Sequence, residues 1–170
     1  MLVNEWSDAT AMAEAVQNKT ISPRELVKAT ISEAERTNPK INAIVSQRYE
    51  KALEEAETRD FSDKPFAGVP IFLKDLGQEQ AGEPSTAGSR LFTSYRAKET
   101  DNYVKKLEEL GLIILGRSST PEFGFKNISD AQIHGPVNLP DDVRRNAGGS
   151  SGGAAAIVSS GISPLAPASD

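Results

Sequence analysis

The sequence has no cysteine. That excludes a disulfide frame, a thiolate nucleophile and any sulfur-ligated metal, and it makes a reducing, cytoplasmic setting the expectation. Basic residues are too few to outweigh the acidic ones: 19 Lys and Arg stand against 24 Asp and Glu, a formal charge of −5. A surface of that sign does not attract nucleic-acid phosphates or anionic lipid as a whole. No apolar run reaches membrane-spanning length, and the opening MLVNEWSDAT lacks the basic and apolar regions of a signal peptide. Histidine occurs once, at His134. What remains is 170 residues at 38% hydrophobic content, enough for a compact domain with a core of its own.

Helical and strand signals alternate along the chain. Trp6, Ala9, Ala13 and Val16 recur at three- and four-residue spacing, which predicts a short amphipathic helix ending near Asn18. Ser22-Pro23-Arg24-Glu25 has the pattern of a capping box with proline in the first turn. A second helix is therefore expected through Leu26, Thr30 and Ala34 until Asn38-Pro39 stops it. A charged third helix over 49–57 should be solvated, with one apolar edge at Tyr49 and Leu53 and with i,i+4 pairs such as Lys51 and Glu55. The run from Val69 to Leu73 behind turn residues predicts a buried strand, and Lys74 comes directly after it. Residues 78–90 read as loop, 100–110 as a helix closed by Gly111, and 112–115 as a second buried strand. Strand, helix, strand in this order predicts an α/β architecture with some parallel pairing. A division into a helical region, 1–64, and an α/β core, 65–170, follows. The last helix, over 154–160, is followed by an extended apolar stretch, 162–168. Exposed apolar chain at that point leads us to expect the front part of a longer protein.

The densest chemical signal is RRNAGGSSGGAAAIVSSG, residues 144–161, with two serines between two glycine pairs. Glycines let other groups approach the backbone closely, and a loop feeding a helix presents unpaired N–H groups. The segment can be a flexible turn. It can also be an anion-binding loop, although neither phosphate-loop fingerprint is present. It can be a nucleophilic site if a base serves the serines. His134 is the one histidine for a Ser-His-Asp arrangement, but a histidine without a spacing signature more often has a structural role. Lys74 is the lysine whose apolar surroundings favour a neutral amine that can replace it; the plain alternative is a lysine snorkelling from a strand end.

Read together, the segments become specific. Gly68-Val69-Pro70-Ile71-Phe72-Leu73-Lys74-Asp75, Gly116-Arg117-Ser118-Ser119-Thr120-Pro121-Glu122-Phe123-Gly124, Gly148-Gly149-Ser150-Ser151-Gly152-Gly153 and Ala168-Ser169-Asp170 resemble, in order and spacing, the amino-terminal portion of the amidase signature family. Asp141, where many relatives have an aromatic residue after the proline, is a local departure.

The resemblance implies helices on a mixed β-sheet, incomplete in this chain, and hydrolysis of amide bonds by a serine, a second serine after a cis peptide, and a lysine. By position Lys74 resembles the catalytic lysine and Ser150 the bridging serine, preceded by Gly149, with Ser151 in support. Asp170 matches the aspartate of an Asp-x-Gly-Gly-Ser element, so the nucleophile and the oxyanion donors are expected downstream and this chain alone is expected to be inactive. The implied partner is a small-molecule amide. No cofactor, metal, membrane or nucleic acid is called for, and an open sheet edge makes self-association plausible. Two other readings stay open: the A subunit of glutamyl-tRNA amidotransferase, and a binding module that uses the glycine loop for an anion.

Overall fold

The computed structural model describes residues 8–169; Trp6 and Asp170 lie outside the described residues. Helix α1 (Ala9–Gln17) begins at Asp8, whose carboxylate accepts the N–H of Ala11 at 2.8 Å, and ends at Asn18. Helix α2 (Pro23–Ile41) has the full capping box: the Glu25 N–H donates to Ser22 Oγ at 3.2 Å, and the Ser22 N–H donates to the Glu25 carboxylate at 2.9 Å.

Contrary to expectation, α2 does not stop at Asn38-Pro39 but passes through Pro39 to Ile41. A proline in the last turn removes one N–H, and the helix tolerates that loss near its end. The stop comes from Asn42 in the left-handed region (φ 51°), with its N–H on Asn38 O at 2.8 Å. The Asn38 side chain then accepts the N–H groups of Ala43 and Ile44, both at 2.8 Å.

That turn starts strand β1 (Ile44–Gln47), which the sequence reading did not anticipate. Helix α3 (Tyr49–Thr58) buries Ala52 and Ala56, while Tyr49 and Leu53 flank this face only partly buried. Lys51 pairs with Glu83 at 2.6 Å, and Glu55 pairs with Arg48. Strand β2 (Pro70–Lys74), helix α4 (Asn102–Glu109), strand β3 (Ile113–Ser118) and helix α5 (Gly152–Ser159) complete the elements. Gly111, at φ 96°, follows α4 where expected.

The sheet is mixed, in the order β1-β3-β2, with β2 parallel and β1 antiparallel to β3. Every residue of β2 and β3 is buried, because helices cover both faces of the parallel pair. Phe72, Ile113 and Leu115 pack with α2, α3 and α5 on one side. Ile71, Leu73 and Ile114 pack with α1 and α4 on the other. Side chains alternate along a strand. Lys74 therefore falls on the face of Phe72, under α5. Among the described residues no helix is long and apolar enough to cross a membrane.

Candidate active site

Lys74, the last residue of β2, is fully buried (0% exposed). Side chains hold its main chain in place. Its N–H donates to Gln78 Oε1 at 2.8 Å and its carbonyl accepts from Arg117 Nη1 at 3.0 Å. Burial pushes the Arg117 guanidinium below its ordinary range, against the attraction of Asp75, Glu79, Glu83 and Asp101. The Lys74 amine then reaches the loop before α5. Nζ lies 2.8 Å from Ser150 Oγ, 3.0 Å from Ser151 Oγ, 3.0 Å from Ser169 Oγ and 3.4 Å from Ser169 O.

The loop is shaped by what it packs against. The Ser129 N–H donates to Gly148 O at 2.8 Å, and Asn146 bridges by donating to Ser129 O at 2.8 Å while accepting the Gly148 N–H at 2.9 Å. The Gly149–Ser150 peptide is cis. A Cβ at Gly149 would lie 2.8 Å from Ile128 N and 2.9 Å from Lys126 O, so only glycine fits there. A Cβ at Gly153 would lie 2.4 Å from Ser119 N and 2.6 Å from Ser119 O. Glycine thus brings the first turn of α5 down onto the end of β3, beside the lysine.

The protons in the cluster can be assigned in part. Ser151 Oγ donates to Ser169 O at 3.1 Å and accepts the Ser169 N–H at 3.2 Å. Its single hydrogen is therefore committed, and Ser151 fastens residue 169 to the loop. Ser150 Oγ accepts from Lys74 Nζ at 2.8 Å. This arrangement can pass a proton between an amine and a hydroxyl in a water-poor setting.

The structure brings Lys74, Gly149, Ser150 and Ser151 together, while Asp170 lies outside the described residues. His134 is elsewhere, bonded to Thr86. The sequence reading did not single out Ser169 as a contact of the lysine; a lone serine after an apolar extended stretch carries no periodic signal. Earlier in the same stretch, the Ser163 hydroxyl lies 2.8 Å from both Pro70 O and Leu165 O, which places it between the start of β2 and the chain leading to residue 169.

A family model described as Amidase matches residues 25–170. Lipoamidase of Enterococcus faecalis is 40% identical over 168 residues, covering 98% of this chain and 23% of that protein. The 6-aminohexanoate-cyclic-dimer hydrolase of Paenarthrobacter ureafaciens is 38% identical over 170 residues, covering 99% of this chain and 34% of that protein. A solved structure of a 6-aminohexanoate cyclic dimer hydrolase matches with a TM-score of 0.91 at 38% identity, over 96% of this chain and 34% of that one. The chain therefore spans between 23% and 34% of the length of these relatives.

Proposed function

The chain belongs to the Amidase family, and from that membership we propose that it forms the base-and-relay part of a serine hydrolase that cleaves carboxylic amide bonds. The observation that carries this reading is the 2.8 Å contact between buried Lys74 Nζ and Ser150 Oγ. In the proposed mechanism Lys74 acts as an uncharged amine and takes the hydroxyl proton of Ser150. Ser150 takes the proton of a nucleophilic serine supplied by a downstream Asp-x-Gly-Gly-Ser element of the longer protein. The nucleophile's oxygen adds to the amide carbonyl, the carbon–nitrogen bond breaks, and the relay returns the proton to the leaving amine. Water then hydrolyses the acyl-enzyme by the same relay, releasing the acid and regenerating the serine.

Ser151 and Ser169 hold the amine at its place, and Gly149 lets the loop lie flat on 126–128. The substrate is a small linear or cyclic amide, in keeping with relatives named lipoamidase and 6-aminohexanoate-cyclic-dimer hydrolase. The absence of cysteine fits a cytoplasmic enzyme.

A serine-directed fluorophosphonate tests the division of labour. The 170-residue chain should remain unlabelled, while the protein continued through the downstream element should be labelled and should hydrolyse short aliphatic or cyclic amides. Covalent labelling of the 170-residue chain, or a continued protein that neither labels nor hydrolyses, would overturn the proposal.

A further inference from the structure

The chain's one histidine takes no part in the lysine and serine cluster, yet its side chain is only 17% exposed. His134 Nε2 lies 3.1 Å from Thr86 Oγ1. Thr86 faces Asp75, the residue after Lys74, whose side chain is 1% exposed. The Thr86 N–H donates to Asp75 Oδ1 at 2.9 Å, the Thr86 hydroxyl donates to Asp75 Oδ2, and the Gly88 N–H donates to Thr86 Oγ1 at 3.2 Å.

A hydroxyl has one hydrogen, and an ionised carboxylate can only accept. Thr86 gives its hydrogen to Asp75, so it must accept at His134. Nε2 therefore carries the imidazole hydrogen. The direct separation of His134 Nε2 from Asp75 Oδ2 is 3.8 Å, too long for a hydrogen bond, so threonine is the link.

The two ends of this link belong to different parts of the fold. Asp75 continues β2, and its N–H donates to Ser118 O at 3.0 Å. His134 belongs to the 129–137 turn, which carries the glycine and serine loop: Ser129 N–H donates to Gly148 O at 2.8 Å and Ala147 N–H donates to Val137 O at 2.9 Å. On its other side the turn is fastened to the end of α2, where Asn42 donates to His134 O at 2.7 Å and to Pro136 O at 3.0 Å. The His134 to Thr86 contact thus braces the part that bears Ser150 against the strand that bears Lys74.

We infer that His134 is a positioning residue: through Thr86 and Asp75 it sets the separation of Lys74 from Ser150. This inference rests on the proposed relay. Proton transfer between heavy atoms falls away steeply once they leave hydrogen-bond reach, so a shift of a few tenths of an ångström at the brace is felt in the chemical step.

The test compares His134→Leu, His134→Gln and Lys74→Ala in the protein continued through the downstream element. His134→Leu should lower kcat about ten-fold or more with KM within about two-fold. His134→Gln, whose amide N–H can reach Thr86, should restore kcat to within about three-fold of the parent. In a Lys74→Ala background His134→Leu should cause no further loss. If His134→Leu does not fold, Thr86→Val should slow turnover where Thr86→Ser, which keeps the hydroxyl, does not. Imidazole nitrogen shifts should report the Nε2–H tautomer.

Normal kcat in His134→Leu, equal loss in the Leu and Gln variants, equal rates for Thr86→Val and Thr86→Ser, or an Nδ1–H tautomer would overturn the brace while leaving the relay intact. Normal turnover in Lys74→Ala would overturn the relay and the brace with it.

Discussion

Lys74 and Ser150 are 76 residues apart in sequence, and the nitrogen of one lies 2.8 Å from the hydroxyl oxygen of the other. Two simple features produce the contact. The pleat of β2 turns Lys74 to the same face as Phe72. The glycines at 149 and 153 let the serine loop and the first turn of α5 settle against backbone on that face.

Gly153 provides the first prediction. A methyl group there would meet the backbone N and O of Ser119 at 2.4 and 2.6 Å, and backbone cannot turn aside as a side chain can. Gly153→Ala should therefore destabilise the fold by about 1–3 kcal/mol, the usual cost of overpacking. A lowered urea midpoint checks it; an unchanged midpoint would mean that α5 does not approach β3 so closely.

The start of α2 offers a second. Ser22→Ala removes the oxygen that accepts the Glu25 N–H and should cost about 1 kcal/mol, whereas Ser22→Gly should cost only a few tenths. Thermal or urea unfolding of the two variants side by side measures the difference. Equal loss would count against a capping role for Ser22.

Tyr49 carries a pH prediction. Burial, assisted by the charge of Glu35, pushes its phenol up to about 12, and its buried hydroxyl has no hydrogen-bond partner among the described residues. A raised phenol binds its proton more tightly in the folded state. Its contribution to stability is thus complete below pH 10 and is lost as the pH rises toward 12. Tyr49→Phe should leave stability at pH 7 unchanged or slightly higher, since no bond is removed, and should lose less than the parent on alkaline unfolding. Urea midpoints for both proteins at neutral pH and above pH 10 decide it.

Legibility of the fold followed the strength of local signals. The capping box at Ser22 and Glu25, the apolar run before Lys74 and the glycine after α4 all act over a few residues, and each lies where the sequence placed it. Strand β1 was invisible because it has only four residues, just one of them buried, and it gains its partner from β3 far along the chain. Helix α2 outran Asn38-Pro39 because its stop depends on the left-handed Asn42 and on the Asn38 side chain, neither of which has a helical period. At the site, Lys74 and the serine loop stood out by composition. Arg117, which holds the lysine carbonyl, and Ser169, which touches its amine, are joined to it only by tertiary packing, while Gln78 meets the lysine N–H across a four-residue turn that has no helical or strand period.

The most direct test of the relay is the rate of amide hydrolysis by Lys74→Ala in the protein continued through the downstream element, measured beside the parent with fold and thermal midpoint checked in parallel. If Lys74 is the base, kcat should fall by about 10²- to 10⁴-fold with the fold retained. Turnover within a few-fold of the parent would show that Lys74 is not the base.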